Sequence, residues 1–504
     1  SNYSRVYSYV YSVRLIKMKQ KLIILIIILG TIFQILTWTS GHNWGGDFSA
    51  YIMQAISITE GNVEKFVELN DQTKKFSSIP VGPVTYPWGL PLLLSTVYTF
   101  FGFDIVVFKS TILIFFFSFL ILLWFLFEKK LSLFERLIFV SLFAFNPFLL
   151  KFGDSILSDI PFLFFSTLSI FILFKLQDLR SIKSTIFLSI ILGLSFAIGL
   201  SLRTNGIFLP ITYIGILCLI FLKKNFKFFN IFHINLGSFN YISKKFQTIL
   251  VLFTLLIFLI PSYLIFLIFP NPQDVHVNFL NKINLKDIGT NIIYYAYIIK
   301  DFYGPHFIGI ILHLISIPFI IIGFLKKWQS STVILLYLFL TLSLYILWPF
   351  RQGLRFILPI FPFYIYFFLI GLRTFSNINK KLICLFFVTT FILIGCFNII
   401  ENFKNNFKLN IGPYTAESKE MFKFLNNNVL ENETVIFRKP RVMRLFTKKD
   451  SIFYNNINDF KLRDWFVVDK KNVIIPISER NKLFDQYPVN KNFENSQFII
   501  FKFQ

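Results

Sequence analysis

Charged residues are scarce in this chain of 504 residues. Only 15% of its positions are Asp, Glu, Lys or Arg, whereas a soluble domain has about a quarter. Because 55% of the residues are hydrophobic and the mean hydropathy is +0.65, this scarcity excludes an ordinary soluble protein. Apolar runs recur along the first 400 residues, many of them close to the ~20 residues that cross a bilayer. The sequence therefore predicts an α-helical polytopic membrane protein.

Cysteine and histidine are also rare, and their positions exclude two further kinds of site. The three cysteines, Cys218, Cys384 and Cys396, all lie within apolar runs, so they cannot form a disulfide framework between loops. There are only five histidines, with no paired-His motif, and the cysteines lack metal-ligand spacing. A zinc site is therefore not expected.

Acidic residues are fewer than basic ones, and the net charge is +24. In a soluble protein this excess would indicate nucleic-acid binding, but in a membrane protein Lys and Arg collect in cytoplasmic loops. We predict eleven membrane spans, at residues 21–38, 105–127, 134–150, 160–176, 184–202, 206–222, 247–269, 307–325, 332–348, 356–372 and 381–400.

The basic residues alternate between loops as this topology requires. With the N-terminus inside, the inner segments contain Lys129, Lys130, Arg136, Lys175, Arg180, Lys183, Lys223, Lys224, Lys227, Lys244, Lys245, Lys326, Lys327, Arg373, Lys380 and Lys381. The apolar stretch 88–101 is short and begins among prolines, so we predict a re-entrant or interfacial segment; counting it as a span would invert every later loop. The basic start (Arg14, Lys17, Lys19 and Lys21) resembles a signal peptide. No small-residue cleavage site follows Leu36, so we expect an uncleaved first helix.

The composition divides the chain into two domains. Residues 1–400 form the membrane domain, with a large outer loop at 39–104 that includes a predicted helix at 48–59 and a second outer loop at 270–305. Residues 401–504 are polar and predict a small α/β domain on the outer side. Its predicted elements are a helix at 417–426 and strands at 434–437, 472–476 and 497–503.

The most informative polar segment runs from His42 to Tyr51, directly after the first span. Its carboxylate, Asp47, lies at a membrane boundary, where an ionisable group is costly. Asp47 can act as a general base for an acceptor hydroxyl, or it can cap the helix predicted to start at Phe48; both roles are compatible. We include Tyr51 among the candidate substrate-binding residues.

A second acidic pair, Asp154 and Asp159, lies in the outer turn between the third and fourth spans. Asp159 precedes Ile160-Pro161, so by itself it is best interpreted as a helix cap. A functional role gains support because this turn and the Asp47 loop are predicted to face the same side.

Three arginines at the predicted outer ends of spans depart from the positive-inside pattern. Arg203 ends the fifth span, and Arg351 and Arg355 lie four residues apart before the tenth. The planar guanidinium of arginine binds phosphate through bidentate hydrogen bonds. A spacing of four residues places two side chains on one helix face, if the helix begins that early. The alternative is that these arginines only reach for lipid headgroups.

Together the acids and arginines predict a cavity at the outer face suited to sugar transfer from a lipid phosphate. The arginines would stabilise charge on the leaving phosphate, and Asp47 would accept the proton of the attacking hydroxyl. A single displacement opposite the leaving group inverts the anomeric centre.

These segments resemble the GT-C superfamily of polytopic glycosyltransferases, in particular the bacterial branch near protein O-mannosyltransferases and lipid A aminoarabinose transferases (family 39-like). The similar segments are GGDFSAYIMQAISITEG, YPWGLPLLLSTVYTFFG, LLKFGDSILSDIPFLFF, GLSFAIGLSLRTNGIFLP, GLRFILPIFPFY and PRVMRLFTKKDSIFY. They occur in the family's order between residues 35 and 454.

The resemblance implies a catalytic Asp at Asp47 and a second acidic residue at Asp159 or Asp154. It implies a polyprenyl-phosphate sugar donor, a glycolipid, lipopolysaccharide or protein acceptor, and a bacterial inner membrane location with the soluble domain outside. No cofactor is implied, because this branch generally works without a metal. Many relatives have Asp-Glu at the first position, whereas this chain has Asp47-Phe48.

Three other functions remain open at the level of sequence. One is a non-catalytic protein of the same fold that binds lipid-linked glycans. Another is a flippase or transporter, which would place polar residues or broken helices at mid-membrane, and a third is a channel with polar stripes. The acids and arginines lie at the ends of spans and no internal repeat is present, so the sequence favours the transferase.

Overall fold

The computed structural model describes residues 21–78, 81–178, 181–225, 244–270, 285–404, 411–454, 465–472, 484–485 and 489–503. The helices of its first part are α1 (Lys21–Leu36), α2 (Gly46–Thr59), α3 (Val63–Phe76), α4 (Gly89–Phe101), α5 (Ile105–Leu126), α6 (Leu133–Ala144), α7 (Pro147–Phe152), α8 (Asp159–Asp178), α9 (Ile182–Leu202) and α10 (Phe208–Asn225). Those that follow in the membrane domain are α11 (Lys244–Ile268), α12 (Leu285–Ile298), α13 (Lys300–Tyr303), α14 (His306–Lys327), α15 (Thr332–Leu347), α16 (Phe361–Leu372) and α17 (Asn377–Lys404).

The helical membrane architecture is confirmed. Within the described ranges, eight helical stretches are long and apolar enough to cross a membrane, and one of them, His306–Leu347, contains both α14 and α15. Shorter apolar helices occur at Lys21–Leu36, Gly89–Phe101 and Leu358–Leu372. The protein is thus a multi-pass membrane protein, while the count of eleven spans stays a prediction.

Two predicted spans have a different shape in the structure. The run 134–150 is divided into α6 and α7, because Pro147 lacks an N–H and the side chain of Asn146 caps the new helix by accepting from Leu149 N. The predicted helix at 356–372 begins with two 3-10 turns, Gly353–Phe356 and Leu358–Ile360, before α16.

The membrane helices pack around one apolar core that is rich in Phe and Leu. The closest approach joins α14 and α16, where a Cβ atom at Gly323 would lie 1.9 Å from Phe367 O and one at Gly371 would lie 1.8 Å from Phe319 O. Only glycine permits backbones to come this near, as in other membrane helix pairs. This contact joins the second half of α16 to α14.

The first outer loop contains the helix predicted at 48–59, as α2, and a second helix, α3, that was not predicted. Helix α2 packs against α4, and Gln54 joins the loop before α4 by donating to Tyr86 O at 3.0 Å and accepting from Tyr86 N at 2.9 Å. Helix α5 then starts directly after Asp104, whose carboxylate caps it by accepting from Val106 N and Val107 N. These contacts give the loop a defined shape beside the membrane helices.

The C-terminal region forms the expected small α/β domain. Its elements are α18 (Ala416–Asn428), β1 (Thr434–Ile436), α19 (Pro440–Thr447), β2 (Asp450–Ile452), β3 (Trp465–Asp469), β4 (Val489–Glu494) and β5 (Phe498–Phe503). The strand order is β2-β1-β3-β5-β4, with β2, β1 and β3 parallel and the last two pairings antiparallel. Strands β2, β3 and β4 were not predicted. At the other boundary, α17 runs past residue 400 to Lys404.

The C-terminal domain is docked on the first outer loop. Ser78 N donates to Phe453 O at 2.8 Å, and Thr73 Oγ1 donates to Ser451 O at 3.1 Å. The buried Arg444 of α19 donates to Asn70 Oδ1 at 3.1 Å and to Thr73 Oγ1. Helix α19 also packs on α2, the helix that carries Asp47.

Some predictions fall on residues outside the described ranges. These are the basic start except for Lys21, the loop charges Arg180 and Lys227, residues 271–284 of the second outer loop, and residues 473–476 of a predicted strand.

Candidate active site

Asp47 lies in the first turn of α2. The helix starts at Gly46 with Gly45 as its N-cap, so the alternative interpretation of Asp47 as the cap of a helix starting at Phe48 is wrong. Its carboxylate is instead held by two side chains from elsewhere in the chain. The Tyr86 hydroxyl donates to Oδ1 at 2.6 Å, and Arg355 Nη1 donates to Oδ2 at 2.7 Å.

Arg355 joins Asp47 to Asp159. Its Nη2 donates to Asp159 Oδ2 at 3.1 Å and its Nε to Asp159 Oδ1 at 3.3 Å, which is a two-pronged arginine–carboxylate contact. Arg203 Nη1 also donates to Asp159 Oδ1. Asp159 opens α8, Arg203 follows α9, and Arg355 lies in the 3-10 turn before α16. Three distant segments thus meet at Asp159, and α2 joins them through Arg355.

The four charged side chains differ in their access to solvent. The Asp159 side chain is 1% exposed, and the two arginines Arg203 and Arg355 are 12% and 18% exposed. Asp47 is the most open, with 29% of its side chain exposed. Asp159 therefore holds the arginines in place from the interior, while Asp47 is the more accessible of the two carboxylates.

The electrostatics keep Asp47 ionised. Burial would raise the pKa of its carboxyl, but the positive charge of Arg355 and the hydrogen bonds from Tyr86 and Arg355 outweigh burial. The pKa of Asp47 consequently lies below its ordinary value. At neutral pH the side chain is a carboxylate that accepts hydrogen bonds.

Tyr51 lies behind Asp47 on the same helix. It is buried, its hydroxyl shares a hydrogen bond of 2.9 Å with Ser158 Oγ, and its ring lies 4.7 Å from that of Tyr86. Tyr51 thus joins α2 to the residue that precedes Asp159. Its contacts support the positions of Tyr86 and Asp159.

Asp154 belongs to a different cluster. It forms an ion pair with the fully buried Lys109 of α5 and accepts from Thr39 N at 3.0 Å and Thr39 Oγ1 at 2.7 Å. Lys109 also donates to Gly41 O at 2.6 Å. This pair ties the start of the first outer loop to α5 and to the 153–158 turn, apart from the Asp47 network.

Arg351 is also separate from the network. It is exposed, and its Nε donates to Asn291 Oδ1 at 2.8 Å while the guanidinium lies 5.2 Å from the Tyr294 ring. The predicted helix face shared with Arg355 is not formed, because residues 351 and 352 are not helical and Gly353 has φ 71°. A helix cannot extend back through that conformation.

Tyr86 and two basic residues of the C-terminal domain, Lys439 and Arg441, were not among the candidates selected from the sequence. Arg441 Nη1 lies 3.4 Å from the Tyr86 hydroxyl, and the charge of Lys439 acts on Asp47. The sequence did contain a signal for two of these residues, since Tyr86 begins one of the segments that resemble the family and Arg441 lies in another. The proximity of Arg441 to Tyr86 depends on how the C-terminal domain docks on the first outer loop.

The arrangement can perform proton transfer beside a bound anion. An ionised, accessible carboxylate lies next to an arginine with five N–H groups, three of which are used by Asp47 and Asp159. Across the residues that the structure describes, no group of three or more His, Cys, Asp or Glu side chains is arranged to hold a metal ion.

Compared by sequence, the chain matches no known family and no curated protein. In structure it is similar to ArnT from Cupriavidus metallidurans bound to undecaprenyl phosphate, with a TM-score of 0.59 and 8% identity over 95% of this chain and 97% of that one. It is also similar to the oligosaccharyltransferase AglB from Archaeoglobus fulgidus in complex with an inhibitory peptide and a dolichol-phosphate. That match has a TM-score of 0.53 and 10% identity over 89% of this chain and 69% of AglB. The predicted GT-C-like fold is confirmed.

Proposed function

We propose that this protein is an inverting glycosyltransferase that moves a sugar from a polyprenyl-phosphate donor to a hydroxyl acceptor at the outer face of a bacterial inner membrane. The acceptor is a glycolipid, lipopolysaccharide or protein. Support comes from the fold, since the structurally similar ArnT and AglB are glycosyltransferases solved with undecaprenyl phosphate and a dolichol-phosphate. It comes equally from the charged network around Asp47.

One observation carries the proposal. Asp47 is a partly exposed, ionised carboxylate in direct contact with an arginine that a buried carboxylate holds from behind. A base that accepts a proton and a cation that stabilises a leaving phosphate are the two groups required by a single displacement. Here the same guanidinium, that of Arg355, orients the base and reaches towards the leaving group.

In the proposed step the acceptor oxygen attacks the anomeric carbon as the bond from that carbon to the phosphate oxygen breaks. The acceptor proton passes to Asp47, and polyprenyl phosphate leaves with the bonding electron pair. Asp47 retains free lone pairs for the incoming hydroxyl, because Tyr86 and Arg355 each use one acceptor position. Attack opposite to the leaving phosphate inverts the anomeric centre.

The arginines are proposed to stabilise the phosphate. Two N–H groups of Arg355 have no partner among the described residues, so they are available to the phosphate oxygens. Arg203 supplies a second positive charge from the other side of Asp159. We propose that no metal is needed, because these cations already occupy the position where charge develops.

The test is sugar transfer in membranes, using a panel of radiolabelled polyprenyl-phosphate sugars with the wild type and Asp47→Asn. The substitution preserves the side-chain shape but removes the base, so we expect transfer to fall by about 10²–10⁴-fold. Asp104→Asn is the matched control. Asp104 is exposed in the same outer loop and asparagine can replace its capping role, so transfer should persist.

The outcomes separate the proposed functions. Transfer by the wild type and by Asp104→Asn, but not by Asp47→Asn, supports a transferase with Asp47 as its base. Equal transfer by Asp47→Asn would refute the proposed mechanism. Binding of the lipid donor without transfer by the wild type would indicate a non-catalytic lipid-glycan binding protein.

A further inference from the structure

The C-terminal domain places a basic segment beside the Asp47 network. The segment Arg438-Lys439-Pro440-Arg441 leads from β1 into α19, and α19 packs against α2. Arg438 and Arg444 each have an acidic partner. Arg438 Nε donates to Asp469 Oδ2 at 2.8 Å, and Arg444 pairs with Asp450 at 3.4 Å.

Lys439 has no such partner among the described residues. Its side chain is half-buried, and within the described ranges no carboxylate or hydrogen-bond acceptor is paired with its ammonium group. Burial and the neighbouring Arg438 lower the pKa of Lys439, and the negative charge of Asp47 opposes them. A half-buried cation without a partner is unfavourable, and a bound anion would relieve that cost.

Arg441 adds a second charge at the same place. It is 3% exposed and donates to Pro83 O and, at 3.4 Å, to the Tyr86 hydroxyl that holds Asp47. Among the residues described, no carboxylate is paired with it, and its buried Nε lacks a hydrogen-bond partner. The guanidinium of Arg441 packs against Gly82. A side chain at position 82 would place its Cβ atom 2.8 Å from Arg441 Nη1, and the φ angle of +105° there also favours glycine.

The charges around Asp47 therefore do not balance. Asp47 and Asp159 neutralise Arg203 and Arg355, so Lys439 and Arg441 leave an excess of two positive charges. The donor's phosphate is a diester with one negative charge, and the polyprenyl phosphate that leaves is a monoester with a charge close to two, which matches this excess. Lysine binds phosphate as a mobile point charge, so a partly exposed ammonium can reach it without bidentate geometry.

We propose that Lys439 of the C-terminal domain is a direct ligand of the donor's phosphate group. Arg441 is a positioning residue that holds Tyr86 and adds positive potential. This inference rests on the proposed function, since the phosphate belongs to the polyprenyl-phosphate donor. The soluble domain would then contribute to the catalytic centre, because Arg355 of the membrane domain and Lys439 of the soluble domain would bind the phosphate together.

The test measures binding, independently of sugar transfer. The full-length protein in lipid nanodiscs is titrated with undecaprenyl phosphate, with polyprenol lacking the phosphate, and with inorganic phosphate. The variants are Lys439→Gln and Lys439→Arg. Lys423→Gln is the matched control, since Lys423 is an exposed lysine on α18 of the same domain.

We expect Lys439→Gln to weaken undecaprenyl phosphate binding about tenfold or more, as the loss of a charge-assisted contact implies. Lys439→Arg should restore most of the affinity, Lys423→Gln should match the wild type, and polyprenol binding should not respond to any variant. Arg441→Lys should reduce transfer through kcat and alter its pH profile, because Tyr86 then no longer holds Asp47.

Three results would overturn the inference. Equal affinities for Lys439→Gln and Lys423→Gln would refute it, while loss of transfer in Asp47→Asn would still support the proposed function. Inorganic phosphate binding as tightly as undecaprenyl phosphate would show a general anion site, not a donor site. No binding of undecaprenyl phosphate by the wild type would refute both the inference and the proposed donor.

Discussion

The substitution Asp159→Asn tests the charged network most directly. The Asp159 carboxylate is 1% exposed and accepts hydrogen bonds from Arg203 and, twice, from Arg355. Asparagine fits the same space but removes the negative charge, so Arg203 loses the carboxylate with which it pairs and Arg355 keeps only Asp47. Breaking a buried ion pair from one side costs about 3–5 kcal/mol. Because the arginines are 12% and 18% exposed, water screens part of the loss, and we expect about 3 kcal/mol.

The measurement is the free energy of unfolding in mixed detergent micelles, followed by tryptophan fluorescence. Asp104→Asn is the control for removing a carboxylate from the same face, and it should change stability by less than about 0.5 kcal/mol. Asp159→Asn should also reduce sugar transfer, because Arg355 loses the contact that orients it towards Asp47.

A double-mutant cycle sharpens the test. Arg203→Gln should destabilise the wild type but cost about 0.5–3 kcal/mol less in the Asp159→Asn background, because the ion pair is already lost there. Stability of Asp159→Asn equal to that of Asp104→Asn would refute the reasoning. Additive effects of Asp159→Asn and Arg203→Gln would refute it as well.

Three further predictions concern other parts of the structure. Lys109→Met should destabilise the protein by about 3–5 kcal/mol in the same unfolding assay, because it leaves Asp154 without its buried partner, yet it should leave the affinity for undecaprenyl phosphate unchanged. His42, which is 3% exposed, accepts from Ile156 N through Nε2, and burial lowers the pKa of its imidazole from 6.5 to about 4. The unfolded chain therefore takes up a proton at higher pH than the folded one, so stability should fall by about 3 kcal/mol between pH 6.5 and 4, and His42→Gln should flatten that slope. Treatment with EDTA should leave transfer intact, and loss of activity restored by a divalent metal would contradict the proposed metal-independent step.

The sequence identified most of the site because the cost of charge in a membrane makes such residues conspicuous. Asp47, Asp159, Arg203 and Arg355 were selected as charges at the ends of apolar runs, and the structure joins these four side chains in one network. Asp154 and Arg351 met the same criterion but have other partners, Lys109 and Asn291. The position of a charged residue near a membrane boundary does not indicate which partner its side chain contacts in the folded protein.

The helices were predictable to within a few residues where apolar runs are continuous, as in α5 and α9. The errors fall where backbone chemistry interrupts the run. Asn146-Pro147 divides one predicted span, and Gly353 and Pro359 delay the start of α16 with 3-10 turns. The short strand β3 was missed because Trp465–Asp469 is buried throughout and lacks the alternation that identifies a half-exposed strand.

The sequence by itself determined that the protein is a multi-pass helical membrane protein with a small soluble α/β domain, because apolar length and composition are local properties of the chain. The sequence also identified the charged residues at membrane boundaries, where an ionisable side chain is energetically unfavourable. The tertiary structure decided how those charges pair, since hydrogen bonds such as those from Arg355 to Asp47 and Asp159 depend on contacts between segments about 200 and 300 residues apart. It also decided that Arg441 of the soluble domain lies beside the Tyr86 hydroxyl that holds Asp47, because domain docking depends on the meeting of two folded surfaces.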